Sequence, residues 1–169
     1  MTFQIGEKVV YPNQGIGTIE NISSRCFGSH VERFYLLRLT YGSMTVMVPF
    51  SHVKDIGIRK ITRNGELARV LSFLAGGVCS CSHDWKNRFK RNSEKMRVGG
   101  LLEIADVLKG LLLLQREKPL AFREKRMLDR ARHMLVTELS ISRGLRESAA
   151  VGLLEKALAR AGLHLPPAN

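Results

Sequence analysis

Two stretches of this chain gather side chains that could do chemistry, and they point to different kinds. Cys79, Cys81 and His83 fall within the run C-S-C-S-H, three soft donors of the sort that hold zinc. A fourth donor is missing and the spacing matches no common zinc module, so a reduced linker is expected there and no metal. The second stretch, WKNRFKRNSEKMR (85–97), has six basic residues, Lys86, Arg88, Lys90, Arg91, Lys95 and Arg97, against Glu94 alone, net +5. On one helix that density is self-repelling unless a polyanion neutralises it. The alternative is a solvated helix face, but Trp85 and Phe89 are interleaved with the charges, which favours contact with nucleic acid.

Trp85 has two readings. On a helix, Phe89 and Met96 lie at i+4 and i+11 from it, which places all three on one apolar stripe and favours a core position. Yet Trp85 also sits in the first turn, where a side chain can project past the helix end. At the rim of a basic surface, such a side chain can wedge against unstacked bases in a minor groove.

More cations follow downstream. Residues 116–132 carry 7 basic and 3 acidic side chains, net +4. Arg123, Arg126, Arg130 and His133 share one helical stripe; Lys125 and Arg132 share another, interrupted by Asp129. Leu128, Ala131, Leu135 and Leu139 form the opposite, core face. Asp129 can pair with Arg126 or Arg132 three residues away, whereas Glu124 has no basic residue at i+3 or i+4.

Catalytic patterns are absent from the sequence. It contains no G-x-x-x-x-G-K loop, no G-x-G-x-x-G after a strand, and no paired histidines at helical spacing. No catalytic residue and no cofactor are expected. The whole chain of 169 residues carries +12, divided as +3 over residues 1–60 (7 basic, 4 acidic) and +9 over 61–169 (20 basic, 11 acidic). The second part is therefore the one expected to meet phosphate. Three cysteines build no disulfide framework, which suits a reducing cytoplasm. MTFQIGEKVV does not read as a signal peptide, and the run Leu111 to Leu114 is too short to span a bilayer.

Two kinds of element must position these residues. Up to about residue 60, short β-rich runs (8–11, 16–22, 31–39, 45–49 and a last one within 53–58) alternate with Gly and Pro joints. That pattern predicts a small β-barrel that closes its own edges. Beyond residue 64 the apolar period changes to three and four, predicting helices near 64–76, 84–98, 101–117, 121–142 and 147–161. Asp84 is the expected N-cap of the second helix. The expected fold is a two-domain α+β chain: a β-domain over 1–60 and a compact all-α domain of about five helices over 61–169.

On these residues the chain resembles the CarD/CdnL family of bacterial RNA polymerase-binding regulators over nearly its whole length. The resemblance is carried by F-x-I-G-E-K-V-V-Y-P-x-x-G-x-G (3–17), T-V-M-V-P (45–49), D-W-x-x-R-F-K-x-N-x-E-K (84–95) and E-K-R-M-L-D-R-A-R-x-M-L-V-T-E-L (124–139). It implies that the first domain is Tudor-like and binds the RNA polymerase β subunit by strand pairing along a barrel edge, with Arg25 and Thr45, Val46, Met47, Val48 and Pro49 at the contact. Met47 stands where relatives carry Arg. The second domain would contact promoter DNA at the upstream edge of the transcription bubble. Trp85 would wedge into the minor groove there, and Arg88, Lys90 and Lys125 match basic positions of the DNA-facing surface, to which the charge runs add Lys86, Arg91, Arg126 and Arg132 as expected DNA-binding residues. Asn87 replaces a basic residue seen in some relatives.

The implied activity is stabilisation of the open promoter complex by a monomer tethered to polymerase, with little sequence specificity and no membrane partner. A free-standing, non-sequence-specific nucleic-acid-binding protein is the alternative. A metal-dependent enzyme built on Cys79, Cys81 and His83 is a more distant one.

Overall fold

The computed structural model describes residues 2–40, 43–76 and 85–167, with the side chains of Trp85 and Val98 excepted. Cys79, Cys81, His83 and the expected N-cap Asp84 lie outside the described residues. The chain divides into two compact units, Met1–Ile61 and Thr62–Asn169.

The first unit is an antiparallel sheet of β1 (Lys8–Tyr11), β2 (Gly15–Phe27), β3 (His30–Leu39), β4 (Thr45–Pro49) and β5 (Arg59–Lys60), in the order β4-β3-β2-β1-β5. Period-two patterning explains its inner face: Tyr35, Leu37 and Leu39 alternate along β3 and are all buried. They join Phe3, Val9, Ile19, Val48, Val53 and Ile58 in one core. Tyr35 stacks on Phe50 with ring centroids 4.1 Å apart, and its hydroxyl accepts the Phe3 N–H at 3.0 Å. Gly17 suits a close approach, because a Cβ there would stand 2.8 Å from buried Leu37 Cδ1 and 3.0 Å from the Arg38 carbonyl oxygen.

Two expectations fail in this unit. The sheet does not close into a barrel: β4 and β5 stand at opposite ends of the strand order. β5 is two residues long and pairs with β1 alone, through Val9 and Val10, so it cannot also supply a ladder to β4. The stretch expected as a last strand over 53–58 is instead mostly helical, α1 (Val53–Ile56). Gly57, at φ 86°, ends that helix in the left-handed conformation and returns its N–H to the Val53 carbonyl. The strand forms only after it.

The second unit is built from α2 (Asn64–Gly76), α3 (Trp85–Val98), α4 (Leu101–Glu117), α5 (Phe122–Arg143) and α6 (Glu147–Arg160). α4 is its centre, packing against α2, α3 and α5, while α6 packs on α2 and α5. Leu101, Ile104, Ala105, Val107, Leu108, Leu111 and Leu112 of α4 are all buried. The LLLL run therefore lies partly in the protein core, and no described helix is long and apolar enough to cross a membrane. Glu138 of α5, 1% exposed, accepts the Thr62 backbone N–H at 2.8 Å and also the Thr62 hydroxyl. Ser142 donates to the Thr62 carbonyl at 2.6 Å, so two side chains of α5 hold the segment leading into α2.

Candidate nucleic-acid interface and strand edge

The basic face is assembled where α3 meets α5. Arg88 is buried on α3, and its Nε donates to Glu124 Oε2 of α5 at 3.1 Å, with both side chains under a tenth exposed. One residue along each helix, the Arg123 guanidinium lies 5.9 Å from the centre of the Phe89 ring. These two contacts join the first half of α3 to the first turn of α5. Around it, Lys86, Lys90 and Arg91 on α3 and Lys125, Arg126 and Arg130 on α5 are exposed. At its other end α3 is fixed by a Lys95–Asp106 ion pair to α4 and by buried Met96.

Several sequence expectations acquire a definite place here. Leu128, Ala131, Leu135 and Leu139 are buried, as the core face of α5. Arg88, expected to face DNA, is instead a buried pin between helices. Glu124 lacks a partner on its own helix because its partner comes from α3, 36 residues away. Arg132 is half-buried and donates to the Pro166 carbonyl at 2.6 Å, which ties the C-terminal segment to α5. Trp85 opens α3, one turn before Arg88 and Phe89. The choice between core and wedge for its side chain lies outside the described residues. Two side chains left out of the expected site lie beside it: Arg123, already visible on the same stripe as Arg126, and Phe122, which is exposed beneath Arg126 with guanidinium and ring 5.6 Å apart.

On the sheet, β4 pairs with β3 from Arg38↔Thr45 to Phe34↔Pro49, and among the described residues no strand lies beyond it in the sheet order. Thr45 and Met47 are exposed, Val46 and Pro49 are half-buried, and Val48 is core. Of the five expected contact residues in β4, Val48 can thus contribute only main-chain groups. Arg25 is exposed on β2 opposite Glu32 of β3, two residues past the last β3 residue that pairs with β4. Glu32 accepts from His30 Nε2 at 3.0 Å and from Ser51 Oγ at 2.9 Å. Those bonds, His30 first, hold its carboxyl below the ordinary carboxylate range. Phe27, Val31, Met44 and Met47 are exposed apolar side chains of the same unit.

Comparison with known proteins gives this arrangement a family. Residues 3–62 match the CarD-like/TRCF RID domain, and residues 69–155 match the CarD C-terminal domain. YdeB of Bacillus subtilis strain 168, whose name assigns it provisionally to the transcription factors, is 35% identical over 145 residues, spanning 86% of this chain and 95% of YdeB. The solved structure of CdnLNt from Myxococcus xanthus is 34% identical, over 36% of this chain and 86% of that one, with a TM-score of 0.31. With both halves matched in order and a relative aligned over most of the chain, this protein belongs to the CarD/CdnL family of RNA polymerase-interacting transcription factors.

Proposed function

We propose that the chain binds the polymerase β subunit through the outer edge of β4 and the neighbouring Arg25, and grips promoter DNA at the upstream edge of the bubble with the exposed cations of α3 and α5. Trp85, at the start of α3, is the proposed wedge into the minor groove. The observation that carries this reading is the joint between α3 and α5. Burying Arg88 against Glu124 withdraws one acidic side chain from a surface on which Lys90 and Arg91 of α3 and Arg123, Lys125, Arg126 and Arg130 of α5 are exposed.

Such a surface attracts phosphate without reading sequence, because backbone charge is the same along any duplex. An edge strand with unpaired main-chain groups suits strand addition by a partner. Tethering through β4 raises the local concentration of the helical unit at the promoter, so weak DNA affinity suffices. A wedge that prefers an unstacked junction to closed duplex shifts the equilibrium toward the open complex by its difference in affinity.

The test is promoter-opening kinetics with and without the full chain. Wild type should lengthen open-complex lifetime, and Trp85→Ala should lose that effect while still retaining the polymerase β subunit in a pull-down. Equal lifetimes for wild type and Trp85→Ala would remove the wedge. Failure of the wild-type chain to retain the β subunit favours a free-standing nucleic-acid binder instead.

A further inference from the structure

Phe122 is the most exposed large apolar side chain among the described residues, at 72%. A lone apolar residue on a surface needs no explanation. This one has a defined setting. It occupies the first position of α5, the Arg126 guanidinium lies over its ring, and Arg123 and Lys125 are exposed beside it. The acidic residue of that turn, Glu124, is turned inward onto Arg88. What α5 presents outward at its start is thus an aromatic ring among three cations, with its own carboxylate withdrawn.

We infer that Phe122 is a stacking platform for an unpaired nucleobase, with Arg123, Lys125 and Arg126 neutralising the adjoining phosphates. An aromatic ring offers a π face that any base can match, and a guanidinium beside it adds cation–π attraction. Fully paired duplex has no free base face, so this contact favours a duplex with a single-stranded arm over a duplex alone. The inference rests on the helical surface being the DNA-facing one, as proposed above. It adds a second aromatic contact on a different helix from Trp85.

The experiment compares the full-length wild type with Phe122→Ala, Phe122→Leu and Phe122→Tyr. Anisotropy at low ionic strength measures binding to a labelled forked oligonucleotide and to a blunt duplex of equal length. Phe122→Ala and Phe122→Leu should weaken forked-DNA binding by about tenfold, leave duplex binding unchanged, and keep the wild-type salt slope because no charge is removed. Phe122→Tyr, which retains a π face, should behave as wild type. Because the side chain is exposed, all variants should melt with wild type.

Forked-DNA affinity left intact in Phe122→Ala overturns the stacking role while leaving the DNA-facing surface standing. Equal losses on fork and duplex also overturn it, since Phe122 would then act by shaping the basic surface. A wild-type dimer lost in Phe122→Ala overturns it in favour of self-association. Wild type that binds neither oligonucleotide overturns the DNA-facing reading itself.

Discussion

Replacing Arg88 with Met separates two accounts of the same residue. Its sequence context, within a run of six basic residues, assigns it to phosphate. In the fold, its side chain and that of Glu124 are 9% and 5% exposed, with the Arg88 nitrogen 3.1 Å from the carboxylate. At that separation and an effective dielectric near 20, the attraction is roughly 5 kcal/mol. Desolvation of both ions offsets much of this, but the share borne by the Glu124 carboxylate remains when Arg88 is removed. Arg88→Met leaves the Glu124 carboxylate buried without its main partner, which should destabilise the helical unit by about 3 kcal/mol and lower its melting midpoint by roughly 15 °C.

Urea and thermal unfolding followed by tryptophan fluorescence would measure this, because the chain's single Trp, Trp85, lies in α3. The double variant Arg88→Met/Glu124→Leu should recover most of the loss, since a buried ion pair exchanged whole for apolar side chains is often neutral. The DNA salt slope of the double variant should equal that of wild type. If Arg88→Met unfolds with wild type but binds DNA with a shallower salt slope, the buried-pin account is wrong and Arg88 faces phosphate.

Lys90→Ala and Lys125→Ala, at exposed positions on α3 and α5, should each weaken DNA binding similarly on unrelated sequences and reduce the salt slope by about 1; an unchanged slope would take that lysine off the contact surface. Met47→Asp places a charge on the outer strand of the sheet and should weaken capture of the polymerase β subunit, with stability held within about 0.5 kcal/mol. Capture at wild-type strength would move the contact away from β4. Glu32, its pKa lowered by bonds from His30 and then Ser51, should titrate by NMR below an ordinary glutamate. Its contribution to stability is then present above the unfolded-state pKa and lost as pH falls through the folded one. A midpoint at or above the ordinary value would refute the bonding described.

The change from period two to period three-and-four after residue 60 is a property of the chain itself, and so are the helices that follow it. α4 spans the residues its pattern predicts, and α5 and α6 begin or end within one residue of theirs. Such signals are local: apolar spacing selects the face that leaves water, and Gly and Pro punctuate its ends. The family motifs were equally legible, since they are short runs of contiguous residues.

What the chain could not specify locally depended on residues far apart in sequence. Barrel closure required β5 to reach β4, and a two-residue strand after an unexpected helix does not. Burial of Arg88 depended on Glu124 arriving from another helix, because a charged side chain leaves water only where an opposite charge meets it. The same pairing removed the acidic charge from around Phe122. The sequence by itself determined that one half of this protein would be strongly cationic. Tertiary packing decided which cations face outward and which hold the helices together.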